Sequence, residues 1–179
     1  MDAYYTGKGD DGTSSLMGGK RISKDSAVFE ALGNLDELNC SIGICIMHSR
    51  DKPAAKELAA IQNDLFSIAA IIAASESGKK IEKVRMPDST RLEGTIRRIG
   101  EKLPKLGKFV IPQGTAASSN LQLARAVCRR AERSMVRLNG SSMEYRSSLR
   151  YMNRLSSFLY VAALRENMLK GVKERSPTY

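Results

Sequence analysis

From Ser26 onward, apolar residues recur every three or four positions, and no run of strand length alternates as regularly. Val28, Leu32, Leu35, Ile42 and Ile46 make one stripe; Leu58, Ile61, Leu65, Ile68 and Ile72 make a second. Leu92, Ile96, Ile99 and Leu103 follow. Leu121, Ala124, Cys128, Ala131, Met135 and Leu138 form the most regular stripe, and Met152, Leu155, Leu159 and Ala162 the last. Each stripe marks a helix with one face turned to a core. Helices are therefore predicted over 26–49, 53–77, 88–103, 118–138 and 145–170.

The boundaries are read from capping chemistry. Thr90-x-x-Glu93 and Ser119-x-x-Gln122 have the spacing of capping boxes, Pro53 suits a first turn, Pro104 a stop, and Asn139-Gly140 an exit. Short connections favour antiparallel neighbours. The expected fold is all-α, a single-domain five-helix up-and-down bundle. The basic segment Ser77–Pro87 is expected to be a mobile loop.

Composition narrows the class. A chain of 179 residues with 42% hydrophobic content has the size of one domain with a proper core. The longest apolar run, "LFSIAAIIAA", is ten residues, so no membrane span is expected. The amino terminus lacks the layout of a secretory signal. Cys40, Cys45 and Cys128 are odd in number and lack metal-ligand spacing, which points to reduced thiols and a cytoplasmic protein. The net charge of +10 raises the question of nucleic acid, but Trp is absent and no recognised binding motif occurs. Nucleic acid is not an expected partner on these grounds.

The polar residues that a plain bundle does not need carry the candidate chemistry. "YTGKGDDGTSS" places Gly7, Gly9 and Gly12 in a G-x-G-x-x-G pattern. No buried strand precedes it, which argues against a dinucleotide fold, and Thr13 stands where a Walker loop needs Lys. An anion-binding nest and a disordered basic tail both remain open. In "RAVCRRAER", Arg125, Arg129 and Arg133 are four apart on the face away from the apolar stripe, with Arg130 and Glu132 beside them. Like charges at this spacing disfavour a helix slightly, so the row reads either as a solvated face or as a partner for anions. Asp36 and Asn39 share a polar strip on the first helix, where Asp36 is available to an arginine of the fourth. Asn153, Ser157 and Tyr160 share a face of the fifth helix, and "KFVIPQG" leads into the fourth. His48 is the single histidine, placed at a helix end, so a histidine-rich metal site and a Cys/His nucleophile pair are not expected.

Taken in order, "YTGKGDDGTSS", "GKRISKD", "VFEALGNLDELN", "FVIPQG", "RAVCRRAER" and "YMNRLSSFLY" resemble the PduO-type ATP:cob(I)alamin adenosyltransferases across nearly the whole chain. The resemblance implies a homotrimer with active sites at subunit interfaces. It implies ATP and cob(I)alamin as substrates with Mg2+, and transfer of the 5′-deoxyadenosyl group to cobalt. By the family pattern, Thr6, Lys8, Gly9, Asp10, Gly12, Thr13, Ser14 and Lys24 contact nucleotide. Lys8 is displaced by one position from the family's basic residue. Arg129 corresponds to the arginine on the triphosphate, and Arg130 and Glu132 to further signature positions. Asn153 corresponds to the asparagine near the metal–phosphate group, and Phe109 to the phenylalanine below the corrin ring. Arg125 and Asp36 correspond to a pair across the subunit interface. A loop segment over 1–25, a catalytic bundle over 26–170 and a tail over 171–179 follow, as do a possible reductase and an adenosylcobalamin-dependent mutase as partners. The competing reading is a non-enzymatic basic bundle that binds nucleotide or RNA, and a different nucleotide-dependent transferase is the second rival. The loop's three glycines imply mobility, with amides unpartnered until phosphate arrives.

Overall fold

A computed structural model describes residues 4–78 and 84–178. Five helices account for most of them: α1 (Ala27–His48), α2 (Lys52–Ser77), α3 (Ser89–Gly100), α4 (Ala116–Leu138) and α5 (Met143–Leu169). In the four-sided bundle, α1 packs between α2 and α4, and α5 closes the ring against the same two helices. The short α3 lies along α5. The expected all-α bundle is present. Of the mobile loop expected at 77–87, residues 79–83 lie outside the described residues.

The five stripes form the core. Leu35, Leu38 and Ile42 of α1, Leu58, Ile61, Leu65, Ile68 and Ile72 of α2, and Leu92 of α3 are buried. Leu121, Ala124, Cys128, Ala131 and Met135 of α4 meet Met152, Leu155, Leu159 and Ala162 of α5. By length and composition alone α2 is apolar enough to cross a membrane, a test that the core helix of a bundle also meets. Its stripe is nevertheless spent on the bundle core, and the stripe carries a buried carboxylate, Asp64.

Both predicted capping boxes give way to caps a few residues upstream. Asp88 Oδ1 accepts from the amides of Thr90 (2.9 Å) and Arg91 (3.2 Å), so α3 begins at Ser89 with Thr90 already inside its first turn. Thr115 Oγ1 accepts from the Ser118 amide at 3.0 Å, so α4 begins at Ala116. The residues meant to complete the boxes have other partners: Glu93 accepts from Arg150 and Arg154, and Gln122 from Arg125. The α3 helix also ends at Gly100, three residues before the expected stop. Pro53 in a first turn and Asn139 as a left-handed exit (φ 51°) match expectation.

Two short strands, β1 (Thr13–Ser15) and β2 (Arg21–Ser23), pair antiparallel ahead of α1, with Ser14 opposite Ile22. No strand was expected there, because three-residue strands are too short to show a two-residue period.

Burial sets an alkaline limit on stability. Burial pushes the Cys45 thiol up to about 12 and the Tyr145 hydroxyl up to about 12, from ordinary values of 9.0 and 10.0. Burial also raises Tyr151, whose hydroxyl donates to Asp64 at 2.7 Å. These groups hold their protons more tightly folded than unfolded. Their contribution is complete below the unfolded values and is lost as pH rises toward the folded ones. The melting temperature should therefore fall steeply between about pH 9 and about pH 11. A flat profile across that interval would show that these protons are not linked to folding.

Candidate functional site

The amino-terminal segment is a compact loop stapled by its own side chains. Turns close through the Asp10 amide on the Gly7 carbonyl and the Gly12 amide on the Gly9 carbonyl, each at 3.2 Å. Gly12 adopts φ +78°, which a residue with a side chain rarely tolerates. Arg21, on β2, reaches back across the loop. Its guanidinium donates to the Lys8 carbonyl at 2.5 Å and to Asp11 Oδ1 at 3.0 Å, and it also bonds Thr13 Oγ1. The Thr13 amide donates to the same Asp11 carboxylate at 2.9 Å, and this hydrogen bond, ahead of the Arg21 charge, holds the Asp11 carboxyl below its usual range. Lys24 Nζ donates to the Gly9 carbonyl at 2.7 Å.

The expectation of unpartnered loop amides is thus corrected in part. The amides of Lys8, Asp10, Gly12 and Thr13 have acceptors within the loop. What the loop offers an anion is the ammonium of Lys8, the hydroxyls of Thr6 and Ser14, and the amides of Gly7, Gly9 and Asp11, which have no acceptor among the described residues. Among the described residues, no hydrogen bond or ion pair joins residues 4–24 to the helices. The loop residues Thr6 to Lys24 are therefore brought together with one another and not with the arginines of α4.

On α4, the arginine row divides by partner. Arg130 donates to Asn34 at 2.9 Å and pairs with Glu37, both on α1, and Arg137 pairs with Glu30 at 3.4 Å. Arg125 donates from Nε to Gln122 at 2.7 Å, within its own helix. Arg129 and Arg133 are exposed and, among the described residues, have no hydrogen-bond or ion-pair partner. Asp36 is exposed beside Leu32, Asn39, Phe66 and Ala69 at the junction of α1 and α2. Its expected pairing with an arginine of α4 is not formed within one chain. Glu37, its neighbour, takes that role with Arg130, because one residue of offset turns the side chain toward α4.

Glu132 and Asn153 do meet. Asn153 Nδ2 donates to Glu132 Oε1 at 3.2 Å, while Arg154 Nη1 donates to Asn153 Oδ1 at 2.9 Å. Arg154 is itself held by Glu93 of α3 at 2.8 Å, and Arg150 joins the same carboxylate at 3.1 Å. These two guanidinium hydrogen bonds pull the Glu93 carboxyl below its usual range. The chain Glu93–Arg154–Asn153–Glu132 thus fixes the Asn153 amide from both ends. Ser157 bonds only its own helix, at the Asn153 carbonyl, so the shared polar face of α5 is not a helix–helix seam along its length.

Phe109 lies in the connection between α3 and α4 and is 80% exposed. Within "KFVIPQG", Val110 and Ile111 are half-buried while Lys108, Phe109 and Pro112 are exposed. Among the described residues, no cluster of three His, Cys, Asp or Glu side chains has the arrangement to hold a metal. The hard oxygens of Glu132 and Asn153 suit a Mg2+ that keeps most of its ligands from phosphate and water. His48 sits exposed in the last turn of α1, as expected of a helix-end residue.

Known proteins share this architecture and sequence. A family model described as cobalamin adenosyltransferase matches residues 4–166. The corrinoid adenosyltransferase PduO of Salmonella typhimurium is 37% identical over 97% of this chain, which spans only 54% of that longer protein. The corrinoid adenosyltransferase of Bacillus subtilis is 36% identical over 94% of this chain and 88% of its own length. A phenylalanine-to-alanine variant of the PduO-type ATP:corrinoid adenosyltransferase from Lactobacillus reuteri, complexed with cobalamin and ATP, superposes with a TM-score of 0.91. It is 28% identical, and the match covers 99% of this chain and 100% of that one. An arginine-to-lysine variant of that enzyme complexed with ATP gives 0.86 at 30% identity, over 97% and 99% of the two chains. Matched by the family model through nearly all of its helical bundle and by relatives above 30% identity, this chain belongs to the cobalamin adenosyltransferase family.

Proposed function

We propose that this protein transfers the 5′-deoxyadenosyl group of ATP to the cobalt of cob(I)alamin, releasing adenosylcobalamin and triphosphate. The observation that carries the proposal is the unpartnered Arg129 on α4, beside the Glu132–Asn153 pair, in a chain of this family. Cobalt(I) is a strong nucleophile. Its electron pair forms the Co–C bond to the 5′ carbon as the C–O bond to triphosphate breaks, and no proton moves. The lack of a histidine base is therefore no obstacle. The protein's work is to orient two reactants and to stabilise the charge that gathers on the leaving oxygen.

Arg129 is assigned to that charge, with Lys8, Thr6, Gly9, Asp10, Gly12, Thr13, Ser14 and Lys24 shaping the phosphate loop and Arg130 supporting from α4. Glu132 and Asn153 would hold a Mg2+ that arrives with the nucleotide and offsets the triphosphate charge. Phe109, exposed on its connection, is assigned to the face of cobalt opposite the incoming adenosyl group. There it would exclude a lower axial ligand and favour the four-coordinate cob(II)alamin that is easier to reduce.

The protein is assigned as a homotrimer. Within one chain the phosphate loop and the arginine row make no bond to each other, and Asp36 and Arg125 each lack an oppositely charged partner. A neighbouring copy supplies both deficits. On this scheme residues 1–25 form the nucleotide loop, 26–170 the catalytic bundle and 171–179 the tail. The two buried free thiols, Cys45 and Cys128, suit a reducing cytoplasm, where a reductase would supply cob(I)alamin and a mutase would take the product. The charge alone would also suit a nucleotide- or RNA-binding module, but nothing in such a role requires Asn153 and Phe109.

Mixing the protein with chemically reduced cobalamin and ATP, and following the visible spectrum, should show adenosylcobalamin forming in step with triphosphate. Light scattering should give three times the chain mass under the same conditions. No spectral change, or full activity from a stable monomer, would overturn the catalytic or the shared-site assignment respectively.

A further inference from the structure

Asn167 is 1% exposed, near the end of α5, and its amide bonds three residues on two separate stretches of chain. Oδ1 accepts from the Thr115 amide at 2.9 Å. Nδ2 donates to the Gln113 carbonyl and to Glu174 Oε1, each at 3.0 Å. The two loop contacts bracket Gly114, which adopts φ +125°. A Cβ there would lie 2.2 Å from Asn167 Oδ1 and 2.5 Å from Nδ2, so the glycine and the amide occupy one fitted space. Two residues before Gln113, the Ile111 amide donates to the Arg175 carbonyl at 2.8 Å. The connection that carries Phe109 is thus tied at 113 and 115 to Asn167 and at 111 to Arg175 of the tail, while Glu174 holds Asn167 from the other side.

Val110 and Ile111 of this connection are half-buried, but the stretch from Pro104 to Phe109 is exposed throughout. Leu106 and Phe109 are exposed, and an apolar cavity of about 350 Å³ lies between Leu103–Leu106, the end of α5 and residues 171–174. Dispersion contacts that would fix a packed loop are missing on that side. The polar ties therefore act with Val110 and Ile111 to set where the Phe109 ring stands.

We infer that Asn167, with Gly114 and Glu174, positions Phe109 for the corrinoid, and that the tail is part of the corrinoid half of the site. The inference rests on the corrinoid assignment of Phe109 made above. Asn167 touches no reactant; it acts through the loop. None of its three partners belongs to the phosphate loop or the arginine row, so nucleotide binding should be independent of it.

Three full-length variants test this. Asn167→Asp keeps an acceptor for the Thr115 amide but cannot donate to Gln113 and repels Glu174. Gly114→Ala places a methyl on the amide. Glu174→Ala removes the tail's bond to Asn167, spares the Ile111–Arg175 bond and leaves the bundle intact, which keeps the test decisive if either core variant fails to fold. MgATP binding by calorimetry should match the parent. Formation of four-coordinate cob(II)alamin in the presence of MgATP, read from its spectrum, should weaken, and turnover from cob(II)alamin with a reductant should fall roughly ten- to a hundredfold in Asn167→Asp. Adding Phe109→Ala to Asn167→Asp should cost little more, because both act through one ring. Parental four-coordinate spectra in Glu174→Ala and in either folded core variant would overturn the inference, as would loss of MgATP binding in parallel with the spectrum. If the parent makes no adenosylcobalamin from cob(I)alamin and ATP, the catalytic assignment fails first and this inference with it.

Discussion

Replacing Arg129 with alanine is expected to lower adenosyl-transfer turnover by roughly 10²–10³ while leaving the fold in place. The arginine lies one turn beyond Arg125, opposite the stripe of Cys128 and Ala131 that is buried against α1 and α5. Truncating it removes no core contact, so its effect on melting should be small beside the ~2–5 kcal/mol of a core truncation. Its neighbour offers the contrast. Arg130 is bonded to Asn34 and Glu37 across α1, so Arg130→Ala should register in stability as well as in turnover. Lysine at position 129 should restore only part of the rate, because it returns the charge without the two-pronged geometry a phosphate recognises. Turnover and melting of alanine variants at 125, 129, 130 and 133 make the comparison. Near-parental turnover from a trimeric Arg129→Ala protein would remove the arginine from the leaving-group role.

The bundle was legible in the sequence because burial in a helix leaves a three-and-four rhythm that few other arrangements produce. Leu121 through Leu138 is the clearest instance: each residue of that stripe is buried or half-buried. Helix starts were less legible. A Ser or Thr followed three residues on by Glu or Gln is a good box only if no better cap stands upstream, and Asp88 and Thr115 do stand upstream. The strands at 13–15 and 21–23 owe their pairing to the turn between them and to the Arg21 staple, neither of which has a periodic signature.

The candidate site divided along the same line. Arg129, Glu132 and Asn153 stood out as polar residues that a helix had no need of, and the structure places Asn153 against Glu132. Arg154 carried no reading and Glu93 was read as half of a capping box, since their part in orienting Asn153 depends on which helix packs beside α5. Asp64 and Glu166 were readable and were missed. Each continues an apolar stripe at helical spacing, Asp64 three after Ile61 and Glu166 four after Ala162. A carboxylate on a core stripe signals a buried partner, because its charge is otherwise too costly to hide. Glu166 finds the Ser49 hydroxyl at 2.6 Å and the Arg50 and Asp51 amides at 3.0 and 3.2 Å, which locks the α1–α2 turn onto α5.

Asp64 carries the largest expected effect on stability. It is 3% exposed, it pairs with Arg91 of α3, and it accepts from the Tyr151 hydroxyl at 2.7 Å. Arg91 also pairs with Glu57 at 2.5 Å, so a single guanidinium serves two carboxylates and joins α3 to α2. Removing one partner of such a group leaves the others charged and unpaired, a change that costs about 3–5 kcal/mol in buried sites. Arg91 retains some contact with water, which places Arg91→Met near the lower end, ~3 kcal/mol. For a chain of this length that is a drop of roughly 6–12 °C in melting temperature, compared at one protein concentration. Adding Asp64→Asn should recover part of the loss, because asparagine still accepts from Tyr151 and carries no charge to strand. The pH dependence has a definite sign. Burial already raises the Glu57 carboxyl despite Arg91, and without the guanidinium that burial would act with less opposition, so Glu57 would hold its proton more tightly folded than unfolded. Stability of Arg91→Met should therefore recover as pH is lowered from neutral toward the ordinary carboxylate range, where Glu57 can neutralise. A variant that melts like the parent at neutral pH, or whose deficit does not shrink on acidification, would show that α3 is held by packing alone.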